Sequence, residues 1–128
     1  MAERLLIDTD VLIDYLRNRS EAVAYLENTD EPLLVSVITV AELYAGVKEG
    51  AERAKLDLFI TAFEIASLDL TIAITGGLYR RQYHKSHSVS LADALIAATA
   101  EHYHARLVTL NNKHFPMTKD VIVPYVKT

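Results

Sequence analysis

Apolar positions along the chain alternate between two rhythms. Short, nearly unbroken apolar runs at residues 5–7, 33–37, 65–68, 106–110 and 121–123 read as buried strands. Between them, apolar residues recur three and four apart: Val11, Leu12, Tyr15 and Leu16; Leu56, Phe59, Ala62 and Phe63; Leu91, Ala92, Leu95, Ile96, Thr99 and Tyr103. That spacing predicts amphipathic helices, the first with Asp14 and Arg17 facing outward. Local signals set the boundaries. Ser20 precedes a short helix through Leu26, and Pro32 marks the turn into the second strand. Thr39 begins a helix to about Lys48 with Gly50 as terminator, Thr71 is a candidate cap for the helix carrying Gly76-Gly77 and Tyr83, and Ser90 starts the next. Strands apolar on both faces and separated by helices indicate a three-layer α/β/α fold with a central, mainly parallel, five-stranded sheet. Ligands of such sheets lie beyond the carboxyl ends of the strands.

Three acids fall in that region. Asp8 ends the first strand, while Glu42 and Asp93 sit in the expected first turns of the helices after strand two and before strand four. The last two share a pattern, Thr39-Val40-Ala41-Glu42 and Ser90-Leu91-Ala92-Asp93. Taken singly, each is a capping box, since an acid three residues after Ser or Thr returns a hydrogen bond and suits the helix dipole. Asp8 alone reads equally well as a cap. Jointly they invite a second reading, because Glu42 and Asp93 are embedded in apolar stretches that a solvated cap does not need. Carboxylates converging at one sheet edge repel one another, and at least one pKa rises unless a cation neutralises them. Hard cations such as Mg²⁺ take oxygen ligands, keep several waters and bind through a few carboxylates plus substrate phosphates.

Composition narrows the setting. At 128 residues and 51% hydrophobic, the chain fits one globular domain spanning residues 1–128. It has no cysteine, which excludes disulfides and thiolate zinc sites and makes a cytoplasmic home the simplest expectation. No apolar run is long enough to cross a bilayer, and none before Asp8 resembles a signal peptide. The formal net charge of -4 argues against a module that coats nucleic acid with basic residues. Contact with nucleic acid must then be local, metal-assisted or shared with another subunit.

Four ordered motifs now stand out: Leu5-Leu6-Ile7-Asp8-Thr9-Asp10-Val11-Leu12-Ile13, Val40-Ala41-Glu42-Leu43-Tyr44-Ala45-Gly46, Leu91-Ala92-Asp93-Ala94-Leu95-Ile96-Ala97 and Thr109-Leu110-Asn111. In this order they resemble the PIN-domain ribonucleases, most closely the VapC toxins of toxin–antitoxin pairs. The resemblance implies a parallel sheet flanked by helices and endonucleolytic cleavage of RNA with Mg²⁺, or Mn²⁺ in its place. It also implies a homodimer and a cognate antitoxin that blocks the active site. Asp8, Glu42 and Asp93 match the family's metal-binding acids, with Thr9, Thr109 and Asn111 in support. One departure matters: where many relatives place a fourth acid before Phe, this chain has His114 before Phe115. With one formal charge fewer, one well-held ion is expected, a second being recruited by substrate phosphate.

Residues 79–87 form the densest basic patch, with aromatics interleaved, so Arg80, Arg81 and Lys85 are candidates for RNA contact. A solvated helical face explains them as well. Gly76-Gly77 lacks the Lys-Ser/Thr of a phosphate-binding loop and reads as a close helix approach. Two rival functions remain. Asp8-Thr9-Asp10-Val11-Leu12 also matches the loop of haloacid-dehalogenase-like phosphatases, with Asp8 as nucleophile and Asp10 as acid/base, although the chain is short for that fold and contains no Gly-Asp pair. A non-enzymatic α/β binding module would use every acid only as a cap.

Overall fold

The first apolar run, Leu5–Ile7 (β1), is an inner strand of the sheet in a computed structural model that describes residues 3–127. It is followed by α1 (Thr9–Leu16), α2 (Ser20–Asn28), β2 (Leu33–Ser36), α3 (Val37–Ala45) and α4 (Ala51–Phe59). Then come β3 (Glu64–Ala66), α5 (Leu70–His87), α6 (Leu91–His102) and β4 (Arg106–Val108). The strand order is β3-β2-β1-β4, and every pairing is parallel. Because successive strand residues point to opposite faces, the two apolar layers can be read from the strands. Leu5, Ile7, Val35 and Val108 pack with Val11, Leu12, Leu26, Leu43 and Leu56 from α1 to α4. Leu6, Leu34 and Leu107 pack with Ile96, Ala97 and Ala100 of α6 and with Phe115. No helix among the described residues is long and apolar enough to cross a membrane.

The sheet has four strands rather than the expected five. Residues 121–123 contribute a single parallel bridge, Val108 to Ile122. The Thr109 N–H donates to the Ile122 carbonyl at 3.0 Å, and the Ile122 N–H donates to the Leu107 carbonyl at 2.9 Å. Pro124 has no N–H to extend the ladder, so pairing stops there.

Helix α3 starts directly at the end of β2, capped by Ser36, whose side chain accepts the Ile38 N–H at 3.0 Å. Thr39 is therefore inside the helix and buried, not its cap, and the helix ends at Ala45. Gly50 does not terminate α3 but precedes α4 at φ 100°, a conformation open to glycine. Asp69, not Thr71, caps α5 through the Ile72 N–H at 2.9 Å. On α6, Leu91 is exposed while Ala94 and Ile96 through Ala100 are buried, because the helix lies between the sheet and α5. Asp14, expected to face outward, is only 5% exposed. The segment after Ile122 covers it: the Tyr125 hydroxyl donates to Asp14 Oδ2 at 2.8 Å, and Lys127 Nζ lies 3.1 Å from Oδ1.

Candidate active site

Asp8 follows β1 and is tied to β4 by its own N–H, which donates to the Val108 carbonyl at 2.9 Å. Its extended backbone makes it the cap of α1, with Oδ1 accepting the Thr9 N–H at 2.8 Å. Oδ2 accepts the hydroxyl of Thr109, just past β4, at 2.7 Å. The Asn111 N–H donates to Thr109 Oγ1 at 3.1 Å and completes this clamp. Both carboxylate oxygens are thus held in a buried position. Burial first, then the charge of Asp10 and to a lesser degree that of Asp93, push the Asp8 pKa up to about 7, outweighing the hydrogen bonds from Thr109 and Thr9.

Glu42 lies on the exposed side of α3 and reaches the same corner through Thr9. The Thr9 hydroxyl donates to Glu42 Oε1 at 2.6 Å, with the Thr39 hydroxyl 3.1 Å away. Glu42 is not a capping acid, because the cap of α3 is Ser36. At α6 Ser90 is the cap, as expected, its Oγ accepting the Asp93 N–H at 3.0 Å, but the carboxylate returns no hydrogen bond to complete a capping box. The Asp93 carboxylate lies 3.5 Å from His114 Nδ1.

The expected acids therefore gather at the carboxyl ends of β1, β2 and β4, but not as a closed cage. Among the described residues, no three His, Cys, Asp or Glu side chains are close enough to surround one ion by direct contact. The donors of Asp8, Glu42, Asp93 and the threonines are nonetheless all oxygens, the hard type Mg²⁺ selects, and an ion that keeps several waters needs only one or two carboxylates directly. A spread of carboxylates and hydroxyls around an acid that burial holds near neutrality fits a hydrated divalent cation.

Three residues of this corner were read differently in the sequence: Asp10 as acid/base of a rival phosphatase, Thr39 as the start of a helix and His114 as a departure from the family pattern. Asp10 accepts the Val11 N–H at 2.8 Å through Oδ1 and the Leu110 N–H at 3.1 Å through Oδ2, and burial raises its pKa. A carboxylate so occupied by backbone donors is a brace between α1 and the end of β4, which removes the free acid/base that a phosphatase would need. The Asp-Thr-Asp spacing was its only signal. The basic residues lie on the last turns of α5: Arg81 and Lys85 are exposed, and Arg80 is partly buried with its Nε unpaired.

A family model described as the PIN domain matches residues 5–120. The chain is 40% identical to Ribonuclease VapC19 of Mycobacterium tuberculosis, the match covering 94% of this chain and 98% of that one. It is 38% identical to Ribonuclease VapC10 of the same organism, over 94% and 92%. A structure described as a toxin-antitoxin complex from Klebsiella pneumoniae superposes with a TM-score of 0.83 at 30% identity, covering 96% of this chain and 99% of that one. The match begins in β1 and runs past β4, so it takes in every acid of the site, and the chain belongs to the PIN-domain family, among its VapC members.

Proposed function

We propose that the protein is a Mg²⁺-dependent endoribonuclease, the toxin of a toxin–antitoxin pair, hydrolysing RNA phosphodiester bonds with an activated water. The observation that carries this reading is Asp8: a buried carboxylate, pushed to about pH 7 by burial and by two neighbouring acids, at the carboxyl end of a central strand. Asp8, Glu42 and Asp93 would hold the ion, with Mn²⁺ able to replace Mg²⁺. A divalent ion bound there supplies charge stabilisation at the phosphodiester and acidifies water. The chain's own residues supply rigidity. Thr109 and the Thr9 N–H fix the Asp8 carboxylate, Asn111 fixes Thr109, and the Thr9 hydroxyl holds Glu42. Such support typically changes metal affinity or activity about 10–100-fold. His114 in place of a further acid favours one firmly held ion.

An antitoxin that covers this corner is the natural partner, in keeping with the assembly named for the Klebsiella pneumoniae neighbour. A homodimer is the expected state: Leu70, Ile74 and Leu78 recur every four residues along α5 and are exposed. The whole chain acts as one nuclease unit in the cytoplasm. The test is cleavage of structured RNA by purified protein in Mg²⁺, stopped by EDTA. Asp8→Asn and Asp93→Asn should each lose at least about 10–100-fold of the rate. Near-normal, EDTA-sensitive cleavage by both variants would overturn the assignment.

A further inference from the structure

Beside the acidic centre, the end of α5 faces the 3-10 turn Asn112–His114 across a shallow groove of about 570 Å³. His87 with its two flanking serines forms one wall, and Asn112, Lys113 and His114 form the other. In a chain with 17 acidic and 13 basic residues, this groove is lined by no carboxylate. It offers imidazoles, an ammonium, hydroxyls and an amide. It meets the acids at His114, whose Nδ1 is 3.5 Å from Asp93 Oδ2. A polyanion approaching a protein of net charge -4 is repelled by most of the surface. Here it finds hydrogen-bond donors that lead to the acidic corner.

The two walls differ in what they can hold. The carbonyl end of α5 carries partial negative charge, which disfavours a phosphate on that side. The His87 ring offers a stacking surface instead of a charge: it lies at 79° to the Tyr83 ring with centroids 5.9 Å apart, while Ser88, at φ 53°, turns the chain out of the helix. Lys113 brings its ammonium from the opposite wall. The volume lies within the range of small-ligand sites, about 300–1,000 Å³, and suits one nucleotide rather than a paired helix.

We propose that this groove is a substrate subsite that holds the nucleotide next to the scissile phosphate of a single-stranded RNA segment. Lys113 takes that nucleotide's phosphate and His87 its base. This inference rests on the nuclease reading and adds to it a strand position and a preference for unpaired RNA, whose bases are free to stack on a side chain.

The test combines binding and turnover. In an Asp8→Asn background, affinity for a fluorescent single-stranded oligoribonucleotide is measured by anisotropy as a function of salt in Mg²⁺. Removing one phosphate contact by Lys113→Met should lower the slope of log affinity against log salt by about 0.7. His87→Ala should weaken binding roughly five-fold without altering the slope, and His87→Phe, which keeps a stacking face, should restore it. In the active protein, Lys113→Met and His87→Ala should raise KM and leave kcat within about two-fold. An unchanged slope and KM in Lys113→Met, or a loss confined to kcat, overturns the subsite while the nuclease stands. If Lys113→Met lowers the salt slope as expected but the wild-type protein never cleaves RNA, the nuclease reading fails and the groove survives as an RNA site. If it neither binds nor cleaves, both fail.

Discussion

The charge of Asp8 has an effect on stability whose sign can be tested. In the unfolded chain the carboxyl titrates near 3.8, and in the metal-free fold near 7, chiefly because it is buried. Between those values the folded state retains a proton that the unfolded state has released. Asp8's contribution to stability is therefore complete below the lower value and is lost as pH rises through the upper one. Asn at this position keeps the clamp, since its carbonyl can accept the Thr9 N–H and Thr109 can still donate to Asp10 Oδ2, 3.4 Å away. In EDTA at pH 8, Asp8→Asn should melt above wild type by on the order of 5 °C. The gap should close towards pH 4. Added Mg²⁺ should raise the wild-type melting temperature by mass action and leave the variant unmoved. A variant that melts below wild type at pH 8 in EDTA would remove the case for repelling charges. Thermal melts across a pH series decide it.

At the scale of elements, the paired glycines of α5 make a contrast within one helical turn. A Cβ on Gly76 would lie 2.6 Å from Leu95 Cδ2 and 3.2 Å from Leu95 Cα, whereas one on Gly77 would meet nothing within 4 Å. A leucine tip can rotate, but the backbone of α6 cannot, so Gly76→Ala should cost about 1–3 kcal/mol as α5 is pushed outward. Gly77→Ala should gain roughly 0.5–1 kcal/mol from helix propensity alone. Urea denaturation of the two variants checks both signs. That close approach was legible in the sequence, as were most of the element types; Asp8, Glu42 and Asp93 were expected around one ion, and among the described residues no three such side chains come that close. What stayed hidden has physical causes. Ser36 was masked as a cap because Val37 and Ile38 extend the apolar run of β2 into the first turn of α3, leaving Thr39 to mimic the boundary. Residues 121–123 carry a strand pattern, but a pattern cannot announce that only one residue finds a partner.

Over the whole molecule, long-range cover decides what local pattern cannot. Asp14 occupies an outward position by helical spacing, yet Tyr125, 111 residues away, closes over it. Lys127 joins that contact, and its charge also offsets part of the rise in the Asp10 pKa, so the segment's influence extends to the acidic corner. Tyr125→Phe would leave a buried carboxylate short of a donor and should lower stability by about 1.5–3 kcal/mol. Because no substrate-facing group is touched, RNA cleavage at a temperature well below the melt should be unchanged. Chemical denaturation and a cleavage assay on the same preparation separate the two effects, and an undiminished stability would show that Tyr125 does not close over Asp14.

The position of β1 between β2 and β4 has a consequence for synthesis. As the chain leaves the ribosome, Asp8 emerges well before the strand and the threonine that seat it, which come 98 to 101 residues later. A nascent chain that stops short of them lacks the clamp on Asp8, and pairing across so long a separation is intrinsically slow. The clamp on Asp8 is therefore completed only after β4 and Thr109 are in place.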